Sequence, residues 1–207
     1  MAGLLAAMGF LLTLLEFPLP LFPAYLKYDP GDMPALLASL TLGPGVGLLV
    51  EFGKDLLFAL SGKSSAGLLG IAANFAAGGS MVLVAGLVYN RLKVALTGLR
   101  TGNGRGGIAV SLAAGTLAMG VVMFFANYFV FLPLWGIPKA GLLPLLTTSV
   151  LPFNLLKGII TSVLTYGALQ RFERALVGET PSERVDCRNL PLAPRRDMPH
   201  NGSCGPN

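Results

Sequence analysis

Apolar residues fill six blocks of the chain, at about 2–15, 33–42, 46–61, 69–90, 108–132 and 147–172, with polar or turn-forming stretches between them. The first block is short for a membrane span and stops at Glu16-Phe17-Pro18. Residues 16–32 follow, with Pro18, Pro20, Pro23 and Pro30 set among Phe17, Phe22, Tyr25 and Tyr28. Prolines at that spacing forbid a helix and favour an extended, semi-rigid path. Residues 33–61 are largely apolar but broken by Gly43-Pro44-Gly45. As one helix they would run about 43 Å, too long for one span and too short for two, so the pattern predicts two short helices joined by a tight turn. A turn is expected from Gly62 to Gly67, full spans at 69–90 and 108–132, and a basic, Gly-rich loop at 91–107. A loop with Trp135 and Lys139 at 133–144 then leads to the last span. This is the pattern of an all-α integral membrane protein, a six-transmembrane-helix bundle occupying 1–174. Residues 175–207, polar and Pro-rich, read as a disordered tail.

Composition supports the membrane reading. Of 207 residues, 53% are hydrophobic and only 12% charged, against about 25% charged in soluble domains. The net charge of +5 does not point to nucleic acid, because the basic residues lie in interhelical loops and the tail without interleaved aromatics. Both cysteines, Cys187 and Cys204, lie in the tail, so no disulfide framework or metal cluster is indicated. The first block has no basic leader or small-residue cleavage site and reads as a retained helix. Charge also orients the chain. Arg91, Lys93, Arg100 and Arg105 share one loop, and Arg171, Arg174, Arg184 and Arg188 follow the last span, against Lys27, Lys63 and Lys139 on the opposite side. The positive-inside rule then places both termini in the cytoplasm and loop 16–32 outside a bacterial plasma membrane.

The chemistry concentrates in Pro152-Phe153-Asn154-Leu155-Leu156-Lys157-Gly158. Asn154 and Lys157, three apart, share a helix face. Lys157 lies roughly 15 Å into its block, near mid-bilayer, where a cation marks a functional site by default. Pro152 cannot bond the carbonyl of Thr148 and opens that turn, with Thr147, Thr148 and Ser149 placed to satisfy freed groups. Asn127, in Ala126-Asn127-Tyr128, offers the donors and acceptor that match an imide edge, or an interhelical bond. Asn74, among small residues, reads as helix packing. Glu51, Lys54 and Asp55 fall within one helical turn as an ion cluster facing the bundle, and one of these acids is a candidate partner for Lys157. Ser61-Gly62-Lys63-Ser64 lacks the earlier glycine of a phosphate loop, since Leu57 stands there. Glycines 102–107 follow no strand, and no nucleophile–base or paired-carboxylate arrangement appears, so an enzyme is not indicated. Ala2 and Ala6, with Gly3 and Ala7, form two small-residue pairs on adjacent faces of the first helix, suited to close approach by a helix of the same bundle or of a partner.

These segments in order resemble the riboflavin-specific substrate-binding (S) components of energy-coupling-factor (ECF) transporters. The carriers are Glu16-Phe17-Pro18, Leu26-Lys27-Tyr28-Asp29 with Asp32 and Pro34, Asn74-Phe75 with Gly78, Ala126-Asn127-Tyr128 and the 152–158 stretch. The resemblance implies a six-helix bundle with a ligand cavity open to the extracellular side. It implies Asn127, Asn154 and Lys157 as polar contacts, Asn74, Leu26 and Asp29 beside them, and 16–32 as a lid. Riboflavin or FMN would be the transported ligand, with no metal or resident cofactor. The implied partners are a transmembrane coupling protein and two ATP-binding subunits, met through Ala2, Gly3, Ala6 and Ala7. An S component for another vitamin and a stand-alone secondary carrier, with Glu51 and Asp55 as ion ligands, are the alternatives.

Overall fold

The structure is a computed structural model that describes residues 1–20, 22–23, 26–64, 66–97 and 104–178. Six helical rods account for most of them. Helix α1 spans Ala2–Thr13, α2 Asp32–Leu42, α3 Pro44–Leu60, α4 Gly67–Thr97 and α5 Gly104–Ala126. Helix α5 runs on through a π-helical turn, Asn127–Phe131, into a last α turn, α6, Leu132–Leu134. The sixth rod comprises α7 (Lys139–Leu145), a second π turn (Leu146–Val150) and α8 (Leu151–Gly178). Met1–Phe172 form one compact unit.

The break between α2 and α3 has a simple cause. Gly43 sits at φ 109°, ψ 160°, a conformation open only to glycine. Pro44 then starts α3, where its missing N–H and fixed φ cost nothing. The two helices fold back and are tied to α4 by Ser39, whose buried hydroxyl donates to the Val82 carbonyl at 2.7 Å. A Cβ at Gly47 or Gly86 would fall on Ser39, so both positions let backbones close around that hydroxyl. Small residues do the same elsewhere: Gly115 of α5 meets Met81 and Ala85 of α4, and Gly158 of α8 meets Thr116 of α5. Leu36, Val50, Met81, Val82 and Met119 fill the core between these helices.

Leu49, Phe52, Leu87, Val121, Phe125, Ile159 and Val163 point outward and stay exposed, as a lipid-facing surface requires. Three stretches are long and apolar enough to cross a membrane, Gly67–Lys93, Gly106–Leu134 and Gly141–Arg171. At 12 residues α1 reaches only about 18 Å.

Helix ends differ from the sequence expectation at several places. Helix α4 continues to Thr97 and α5 starts at Gly104, so the expected 91–107 loop shrinks to 98–103, outside the described residues. The expected loop 133–144 holds α7, because Pro138 in extended conformation caps a helix beginning at Lys139. The last helix runs to Gly178, and tail residues 179–207 lie outside the described residues.

Candidate functional site

Segment 14–31 joins α1 to α2, with no helix among its described residues. It forms a two-residue antiparallel ladder, Phe17 opposite Tyr28 and Pro18 opposite Lys27. Lys27 pairs with Glu16 at 2.6 Å, the Phe17 and Tyr28 rings meet edge-on at 5.6 Å, and Phe22 meets Phe153 of α8 at 5.4 Å. Burial pushes the Tyr28 phenol above its ordinary pKa.

Under this segment lies a recess of about 130 Å3, partly open to solvent. Leu26, Asp29, Asn74, Asn127, Asn154 and Lys157 all line it, so every ligand-contact residue named from the sequence converges on one pocket. Phe58, Ile71, Met123, Trp135 and Phe153 supply apolar and aromatic wall.

The polar groups divide into two kinds. Asn127 donates its Nδ2 to the Met123 carbonyl and Asn154 to the Val150 carbonyl, each at 2.8 Å. Those bonds fix both amides and leave each with a carbonyl oxygen and a second N–H to offer. Asn127 opens one π turn and Asn154 follows the other, and such turns re-aim side chains at functional sites. Lys157 is different. Its Nζ lies 2.7 Å from Asn74 Oδ1, 3.0 Å from Asp32 Oδ2 and 3.1 Å from Asp29 Oδ2. Two of its N–H groups donate to Asn74 and Asp29, and Asp32 faces it as an ion-pair partner.

Thus the acid expected to neutralise Lys157 is neither Glu51 nor Asp55. Asp29 and Asp32 do so, brought in by the turn that leads into α2. Asp32 also bonds Lys54 Nζ at 2.5 Å, and Lys54 in turn holds Glu51 at 2.6 Å and Asp55 at 3.5 Å. Asn74, read from sequence as packing, bridges the two halves: its Nδ2 donates to Asp55 at 3.2 Å while its Oδ1 accepts from Lys157. The result is one buried network joining α2, α3, α4, α8 and the 26–31 turn. The bridging role of Asp32 was missed because its side chain stands at a helix start, where an acid is ordinary.

The small-residue face of α1 splits. Ala6 is buried within the bundle, 3.1 Å from where a Cβ on Gly53 would sit, and Ala2, half-buried, packs against the same core. Gly3 is exposed with open space around it, and Ala7 is half-buried.

Comparison with known proteins identifies the family. A family model described as "ECF transporter, substrate-specific component" matches residues 1–169. The chain is 35% identical over 170 residues to a Bacillus subtilis (strain 168) protein named riboflavin transporter FmnP, spanning 78% of this chain and 84% of the relative. It is 36% identical over 179 residues to riboflavin transporter RibU of Staphylococcus aureus (strain TCH60), spanning 82% and 88%. A solved structure titled "Structure and mechanism of the S component of a bacterial ECF transporter" superposes with TM-score 0.69 at 34% identity, over 84% of this chain and 94% of that one.

Proposed function

The chain belongs to the substrate-specific components of ECF transporters, and on that premise we propose that it captures riboflavin in the recess lined by Asn127, Asn154 and Phe153. One observation carries the reading: two asparagines from different rods, each fixed by a bond to its own helix, present unspent amide groups to a pocket walled by aromatic and aliphatic side chains. A flavin ring is a flat apolar plate with one imide edge, and a pair of amides beside Phe153, Trp135 and Met123 suits it. Lys157 shapes the site by holding Asp29 and Asn74 in place.

The charge arrangement favours riboflavin over its phosphate. The cations lining the recess, Lys157 and Lys27, already face Asp29 and Glu16. A phosphate dianion would enter beside those carboxylates, which is unfavourable in a partly dehydrated site. The protein binds its ligand without altering it, and the 16–31 segment serves as the lid on an opening toward the outside of the cell. Accumulation against a gradient then draws on a transmembrane coupling protein with two ATP-binding subunits. Purified protein should carry flavin absorbance and quench riboflavin fluorescence, and FMN should compete poorly. Equal competition by FMN would remove the charge argument, and absence of any flavin binding would remove the assignment.

A further inference from the structure

The network behind the recess holds more acid than the transport reading uses. Asp29, Asp32, Glu51 and Asp55 face Lys54 and Lys157, four carboxyls to two ammonium groups. Among the described residues, α1 brings Gly9 and Thr13 to the cluster and α4 brings Asn74 and Gly78, while the 26–31 turn adds the neutral phenol of Tyr28 and Lys27, whose charge is met by Glu16 at 2.6 Å. Full ionisation would leave two negative charges uncompensated in a site where Glu51 and Lys54 are 0% exposed and Asp55 is 3% exposed.

Two oxygens show where the imbalance sits. Glu51 Oε2 and Asp55 Oδ2 are buried and have no hydrogen-bond partner. Asp32 Oδ2 also accepts no hydrogen bond but lies 3.0 Å from Lys157 in an ion pair. A buried, unpaired carboxylate oxygen is among the least favourable groups a protein can hold, and such groups neutralise instead. A metal ion is a poor remedy here. Lys54 Nζ already stands between Asp32 Oδ1 and Glu51 Oε1, and no described cluster of acids, histidines or cysteines has metal-holding geometry. Space is also closed on the α4 side, where even a Cβ on Gly78 would fall on Glu51 Oε1. A proton needs no room.

We propose that this cluster is a proton-binding site shared by Glu51 and Asp55. Each proton is delivered by hydronium from solvent: one of its O–H bonds breaks as an O–H bond forms on Glu51 Oε2 or Asp55 Oδ2, water is left behind, and one excess charge is cancelled. Nothing is oxidised and no other covalent bond breaks. Glu51 and Asp55 stand behind Asn74, Lys157 and Asp29, which line the recess, so the site's existence does not depend on which vitamin the recess holds.

Infrared spectroscopy of the full chain in lipid at neutral pH tests this directly. The wild type should show the carbonyl stretch of a protonated, buried carboxylic acid, shifting slightly in heavy water. Glu51→Gln and Asp55→Asn should each weaken the band, and the double variant should abolish it. Because Gln mimics a neutral acid, Glu51→Gln should also keep the melting temperature within about 5 °C of wild type. Should Glu51→Gln not fold, Glu51→Asp keeps an acid and must move the band's frequency. No band in the wild type, or a band indifferent to all these changes, overturns the proposal. A missing band together with saturable thermal stabilisation by sodium, but not by choline, would make it a cation site instead.

Discussion

Asp32 concentrates the energetics of the site in one carboxyl group, with one oxygen on Lys54 and the other facing Lys157. It is 1% exposed, so neither ammonium gains a water molecule if the charge is removed. Taking one partner from a buried ion pair typically costs about 3–5 kcal/mol, because the remaining charge is left unpaired. Asp32→Asn should therefore lower thermal stability far more than Glu51→Gln, a ranking that melting curves in one detergent will check. Gly78→Ala should also destabilise, by about 1–3 kcal/mol, since its Cβ would overlap Glu51 and force the network to shift. Sequence alone marked Lys157 as special because a cation at that depth in an apolar run needs a reason. It did not reveal the partners, since Asp29 is 128 residues away and only the fold brings it near. Glu51 and Lys54 were legible together because their i,i+3 spacing is local.

The two π turns show what a helix pattern conveys and what it hides. Pro144 and Pro152 lie on either side of the Leu146–Val150 turn, and neither can donate a backbone bond. Thr148 donates to the Pro144 carbonyl at 2.7 Å and Thr147 to the Leu143 carbonyl at 3.0 Å. Those bonds reach the carbonyls of Leu143 and Pro144, not the Thr148 carbonyl that Pro152 cannot bond. The expectation that the helix would begin only at 147 is not met, because a helix with its own wider turn accommodates a proline that an ideal α-helix would not. No proline announces the other turn, Asn127–Phe131, until Pro133, so nothing in the sequence pointed to it. If that turn aims Asn127 into the recess, deleting Val130 to restore an α-helix should keep the helix beyond it in register while re-aiming the side chains within the turn. Helix content by circular dichroism should stay constant while riboflavin affinity falls at least about tenfold. Unchanged affinity would mean that the turn is incidental.

At the scale of the molecule, outward Phe, Leu and Val side chains with an inward ion network invert the arrangement of a soluble protein. That inversion was legible in bulk hydropathy, as were the six rods, whereas which rods touch was not. Contacts such as Ser39 with Val82 depend on glycines whose partners lie far along the chain. Orientation remains a charge argument. Cysteines replacing Pro20 and Gly106, both exposed, should report it in a chain with Cys187 and Cys204 removed. An impermeant maleimide added to intact cells should label position 20 and spare position 106, and the reverse would place the lid on the cytoplasmic side. Docking should follow the exposed side of α1. Gly3→Trp, in open space, is expected to keep riboflavin binding and to reduce co-purification with the coupling protein, while Ala6→Trp should disturb the bundle itself.

The central claim is that Asn127 and Asn154 read a flavin in this recess, and fluorescence titration of the purified chain with riboflavin tests it most directly. Each amide left out should strand a buried polar group of the ligand, about 1–3 kcal/mol, so Asn127→Ala and Asn154→Ala should each weaken binding about 5- to 150-fold. Both variants should melt near the wild-type temperature, because each amide's only internal bond is to its own helix. Wild-type affinity in both variants would contradict the account, and the recess would have to be given to a different ligand.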